Sequence, residues 1–169
     1  MKNRAYITAY HRIIEAVALM LSLAALIVCI VFALSSDGQV PLHFGLNGEP
    51  TEYGSAWSGL SLPCVLLITN LGMAAMIRFV PVNTWNMPCK ITENYAPVAY
   101  VRVITMIVLT MLSMGIMSLG GTICMYKARQ IMGGFIIAMC VVLTIITVYY
   151  IVIISVESTS FASSTALLS

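Results

Sequence analysis

The sequence predicts an all-α, polytopic membrane protein: four transmembrane helices in a bundle, with an ordered extracytoplasmic loop between the first two. Three observations carry that prediction. Of the 169 residues, 60% are hydrophobic and only 8% are charged, against roughly 25% charged in a soluble domain. Four apolar runs, at about 13–34, 59–80, 101–125 and 131–155, are each long enough to cross ~30 Å of hydrocarbon as a helix. The few charges stand at the ends of these runs, a placement that orients a chain in a bilayer and argues against a nucleic-acid-binding face. With a mean hydropathy of +1.00, residues 1–155 read as one membrane domain with no separate soluble module. Residues 156–169, rich in Ser, Thr and Ala, read as a flexible tail.

The first run follows a short basic segment holding Lys2, Arg4 and Arg12. It is longer than the 7–15-residue core of a signal peptide, so it is expected to remain as a span. Glu15, Ala18, Ser22, Ala25, Cys29 and Ala33 recur at steps of three and four and therefore share one helix face. Leu21, Leu23, Ile27 and Ile30 occupy the rest. Small residues in a row let a neighbouring helix come close, so this face should look into the bundle, where Glu15 needs a basic partner. In the second run Pro63 falls early, where a missing amide donor costs least. Asn70, Ala74 and Arg78 line up at steps of four, and an amide at such a depth most often joins helices.

The third run is preceded by Pro81–Tyr100, with Asn94 as the expected N-cap and Pro97 in the first turn. Ser113 and Gly120 mark a small face in line with Arg102, and Gly120-Gly121 is expected to weaken the far end. Lys127, Arg129 and Gln130 lie in the brief third connection. In the fourth run Gly134 and Ala138 form a small-xxx-small pair suited to helix contact. Lys2, Arg4, Arg12, Arg78, Lys90 and Arg102 gather on one side, against Lys127 and Arg129 on the other. The positive-inside rule then places both termini in the cytoplasm and the first loop outside. Glu15, Arg78 and Arg102 come out at the same end, so Glu15 is expected to pair with Arg78 or Arg102.

The first loop, Val40–Trp57, carries three glycines, two prolines and two glutamates, and it reads as a built turn region with aromatic anchors. His43 stands with Asp37, Glu49 and Glu52, yet their spacing matches no metal-ligand pattern, and no metal is expected. No serine or cysteine can be tied to His43 and an acid as a nucleophile. His11 and His43 lie at opposite ends of the first span and cannot share a haem iron, and no phosphate-cradling glycine loop occurs. The five cysteines form no CxxC pair and read as small packing residues. The expectation is a protein without enzyme activity or cofactor.

Two stretches carry a resemblance. The first is Pro41, His43, Phe44, Gly48, Glu49, Pro50, Tyr53, Gly54 and Ser55 between the first two spans. The second is Asn86, Met87, Pro88, Cys89, Lys90, Ile91, Thr92, Glu93 and Asn94, followed by Tyr100 and Arg102. In this order they resemble the domain of unknown function found at the amino-terminal end of SdpI-type bacterial immunity proteins. The resemblance implies a protein of the bacterial inner membrane with no established enzyme chemistry, related to proteins that protect against a secreted toxic peptide and relay its presence to a repressor. The expected recognition surface is Pro41, His43, Phe44, Gly48, Glu49, Pro50, Tyr53, Gly54 and Trp57, facing a peptide or protein partner. Glu15, Asn70, Arg78 and Arg102 are the expected intramembrane polar set, and Asn86, Pro88, Ile91, Thr92 and Asn94 a cytoplasmic loop motif. The rival expectation is a small transporter or channel subunit that uses Glu15, Asn70 and the basic residues near the cytoplasmic end; four spans are few for a lone carrier, so it would work as a homo-oligomer.

Overall fold

The computed structural model describes residues 3–36, 38–45, 49–127 and 131–166. Four helices run in sequence: α1 (Ala9–Ser35), α2 (Ser61–Phe79), α3 (Ala96–Tyr126) and α4 (Met132–Ala166). Two short strands, β1 (Gln39–Phe44) and β2 (Pro50–Ser55), join α1 to α2, with a 3-10 turn at Ala56–Leu60. All four helices are long and apolar enough to cross a membrane. The chain is thus a multi-pass helical bundle whose outward apolar surface meets lipid, carrying a small two-stranded sheet at one end. That end is called the hairpin end; the other, where both termini of the described chain lie, is the terminal end.

Each helix starts or stops for a local reason. Thr8 caps α1 by accepting from the His11 amide, and His11 Nδ1 in turn accepts from the Thr8 amide at 3.0 Å. This reciprocal cap starts the helix at Ala9, earlier than the apolar run suggests, and its 27 residues give about 40 Å of helix. Because Nδ1 accepts, the ring proton sits on Nε2 and is donated to Thr105 Oγ1 of α3 at 2.9 Å. Pro63 lies in the first turn of α2 as expected. Asn94 does not cap α3; it is exposed, and the cap position is Tyr95, without a side-chain bond. The helix is started instead by the Thr92 carbonyl, which accepts from the amides of Tyr95 and Ala96, both at 3.0 Å.

The interior is built on the small face of α1. His11, Glu15, Ala18, Ser22, Ala25, Cys29 and Ala33 are buried, the six residues read from spacing plus one further turn. The broadest interface of α1 is with α3. There the backbones come so close that a Cβ on Gly115 would lie 2.8 Å from the Ala18 carbonyl oxygen. Asn70 of α2 donates to Ser22 Oγ of α1 at 2.9 Å and to the Met111 carbonyl of α3 at 3.2 Å, so one amide joins three helices. Ser113 is buried.

Three expectations are corrected along the second half. Gly120-Gly121 does not weaken α3, which continues to Tyr126; Gly120 makes room for the Phe135 ring and Gly121 for Leu62. Gly134 and Ala138 are exposed, and an added Cβ on Gly134 would meet nothing, so this pair makes no contact within the bundle. The supposed tail is helical through Ala166. Its Ser158 hydroxyl donates to the Lys90 carbonyl at 2.7 Å, and its Glu157 accepts two bonds, which hold the last turns against the loop before α3.

Gly115→Val is expected to force α1 and α3 apart and to cost roughly 1–3 kcal/mol, the usual range for overpacking. Gly72→Ala, where nothing lies within 4 Å, should leave stability unchanged or slightly raised. Thermal unfolding of both variants in detergent checks the contrast.

Candidate functional site

The hairpin is the first candidate surface. The expected turn region is in fact strand: Gln39 pairs with Ser55, Val40 with Gly54, Pro41 with Tyr53, His43 with Glu52 and Phe44 with Pro50. The register slips on both sides of His43, as expected of a strand that contains a proline, which cannot donate to the ladder. Val40 and Pro41 are buried, and Val40 packs with Ala33, Ala56 and Met125. Gly54 leaves the space that the Leu42 side chain fills, so a Cβ there would displace Leu42.

Tyr126, at the end of α3, fastens the exit of the hairpin. Its hydroxyl donates to the Ala56 carbonyl at 2.5 Å and lies 3.6 Å from Cys29 Sγ. Phe32 packs against its ring, and Lys127 Nζ stands 5.4 Å from the Phe32 centroid. Outward, Tyr53 and Trp57 are 48% and 50% exposed. His43 Nε2 lies 3.4 Å from Glu52 Oε2, both side chains largely in solvent. Phe44 and Pro50 are half-buried and Glu49 exposed, whereas Gly48 and Asp37 lie outside the described residues. Among the described residues no three His, Cys, Asp or Glu side chains converge on one point. Apart from β1, no strand pairs with β2 among the described residues, so its outer edge is open.

The terminal end gathers the charges. Glu15 accepts from Arg78 Nη1, which also bonds the Ala74 carbonyl at 3.2 Å. Glu15 is 3% exposed and Arg78 only partly covered, so the pair is buried on one side alone. Arg102 does not reach Glu15. Its Nη2 donates to Glu157 Oε1 at 2.8 Å, and the buried Tyr95 hydroxyl donates to Glu157 Oε2 at 2.8 Å. Burial first, and the bond to Glu157 next, push the Tyr95 phenol well above its ordinary value. Asn86 and Pro88 line a cleft of about 210 Å³ together with Val103, Met106, Ile151 and Ile154. Ile91 packs on the core, and Thr92 Oγ1 and Trp85 Nε1 are buried without a partner among the described residues.

Sequence spacing missed Asn3. It is 1% exposed; its amide donates to the Ile77 and Val80 carbonyls at 2.7 and 2.8 Å, and its Oδ1 accepts from the Val82 amide at 2.9 Å. This one side chain pins the amino-terminal segment over the end of α2. His11, Tyr95 and Tyr126 were missed as well; each acts through a long-range bond that leaves no periodic trace.

The fold and these two ends define a four-helix, multi-pass membrane protein with an ordered hairpin at one face of the bundle. A family model described as a domain of unknown function (DUF1648) matches residues 20–67, from the middle of α1 through the hairpin into α2. No curated protein and no solved structure matches the chain.

Arg78→Gln leaves Glu15 buried without its counter-charge. It is expected to destabilise more than Arg78→Gln combined with Glu15→Gln, with a coupling of roughly 0.5–3 kcal/mol. A double-variant cycle by unfolding in mixed micelles measures it; strict additivity would show the pair to be inert.

Proposed function

We propose that the chain is an integral membrane binding protein that recognises a peptide or protein segment through its hairpin, in a toxin-immunity or signal-relay role of the SdpI kind. The reading places it in a bacterial inner membrane with both termini cytoplasmic, because the bases concentrate at the terminal end. The observation that carries it is the hairpin itself: a surface with Tyr53 and Trp57 half exposed and the outer edge of the largely exposed strand β2 unpaired among the described residues. An open edge offers amides and carbonyls to an extended peptide, and flanking aromatics supply apolar contact at little entropic cost. The seat of the hairpin supports relay, since Tyr126 joins its exit to α3 and Val40 joins its entry to α1 and α3. Of the residues a transporter would need, Glu15 is taken up by Arg78 and the Asn70 amide nitrogen by Ser22 and the Met111 carbonyl, which favours the binding reading, while Asn70 Oδ1 is buried without a partner among the described residues.

Tyr53→Ala with Trp57→Ala should abolish capture of a partner by a photo-crosslinker placed at Thr51, with the thermal midpoint unchanged because neither ring is buried. Capture that survives both changes would remove the hairpin as the recognition surface. Thr51→Cys should be labelled by a membrane-impermeant maleimide on intact cells and Lys90→Cys only after lysis; the reverse would invert the topology.

A further inference from the structure

A cleft of about 480 Å³ opens at the terminal end between the amino-terminal segment, α1 and α2, lined by Arg4, Ile7, Arg12, Glu15 and Arg78. Three guanidinium groups share it with one carboxylate. Glu15 neutralises Arg78, while Arg4 and Arg12 are exposed and have no carboxylate partner among the described residues. The cleft therefore carries a surplus of two positive charges. Its size is that of a small-molecule site.

The walls are fixed before anything binds. Asn3 holds the turn that carries Arg4: the Tyr6 amide bonds the Asn3 carbonyl at 3.0 Å, and the Asn3 side chain is anchored by three hydrogen bonds to Ile77 in the last turn of α2 and to Val80 and Val82 just beyond it. Those bonds also occupy the Ile77 and Val80 carbonyls, whose negative end would otherwise oppose an anion. The Thr8–His11 cap sets the first turn of α1 and with it Arg12. Glu15 anchors Arg78 through Nη1 alone, which leaves the remaining donors of that guanidinium for a ligand. Planar forks of this kind match the oxygens of a phosphate two at a time.

We propose that this cleft binds a phosphate-bearing anion, with Arg4, Arg12 and Arg78 as its ligands and Glu15 as the residue that positions Arg78. The exposed apolar side chains of Ile13 and Phe79 follow Arg12 and Arg78 directly in sequence. The phosphate consequently sits where lipid-facing surface ends, at the depth of a headgroup. The same chemistry is offered by an anionic phospholipid and by a soluble phosphate ester, and the two are separable by experiment.

The full chain in detergent is titrated with dioleoyl phosphatidylglycerol, dioleoyl phosphatidylcholine, inorganic phosphate and glycerol phosphate, and the thermal midpoint is followed. Phosphatidylglycerol should raise the midpoint at concentrations where phosphatidylcholine does not. Arg12→Gln should weaken its apparent affinity about five-fold and Arg4→Gln with Arg12→Gln about thirty-fold, at the usual worth of a base near an anionic surface. Lys90→Gln, at the same end but outside the cleft, should change nothing. A response to phosphatidylglycerol alone assigns a lipid headgroup; a matching response to glycerol phosphate or phosphate assigns a soluble ester. Equal shifts with both lipids, an equal loss in Lys90→Gln and Arg12→Gln, or no shift with any probe would overturn the proposal.

Discussion

The structure depends on one constraint: α1 must meet α2 and α3 through a row of small side chains, with a polar bond at each level. Lipid tails are as apolar as leucine, so no hydrophobic gain draws helices together inside a bilayer. What remains is close packing and hydrogen bonding. Ala18 against Gly115 brings the backbones of α1 and α3 together. Above and below that contact, Asn70 bonds Ser22 and the Met111 carbonyl, His11 bonds Thr105, and Glu15 pairs with Arg78. A larger residue anywhere in the row would separate these donors from their acceptors.

Once α1, α2 and α3 are locked, the two ends follow. At the hairpin end Ala33, Met125 and Tyr126 make the seat on which Val40 rests, so the base of the hairpin is packed on the seam. At the terminal end Asn3 and the Thr8–His11 cap fold the chain start back over α2. Helix α4 stands apart from this scheme. It leans chiefly on α3, with Phe135 over Gly120 and Ile154 in the core, and its last turns are held by polar bonds, through Glu157 with Tyr95 and Arg102 and through Ser158 with Lys90.

The number of spans and the inward face of α1 were legible because both are local: length of apolar run for the first, a step of three and four for the second. Asn70 was legible for the same reason, since an amide at mid-membrane depth has few other uses. The hairpin was not, because Pro41, Gly45 and Pro50 carry the marks of turns while the strands between them are short and slip register at His43. Glu157 and Ser158 were hidden among Ser and Thr residues that look like a frayed end; their partners lie more than fifty residues away. Asn3 is a polar residue near a terminus until α2 is seen to end beside it. Of the candidate sites, composition told where the acids and bases were. It could not tell that Arg102 belongs to Glu157 and Arg78 to Glu15, because that choice is made by which helices touch.

The account is tested most directly by asking which side of α1 lipid touches. Single cysteines placed along α1 in a cysteine-free chain, reconstituted in bilayers, can be reacted with a photoactivatable probe confined to the acyl region. Positions 20, 23, 27, 30 and 34 should label strongly and positions 18, 22, 25, 29 and 33 weakly, giving a helical wave. A flat profile, or one with its maxima on the small residues, would contradict the seam and everything built on it.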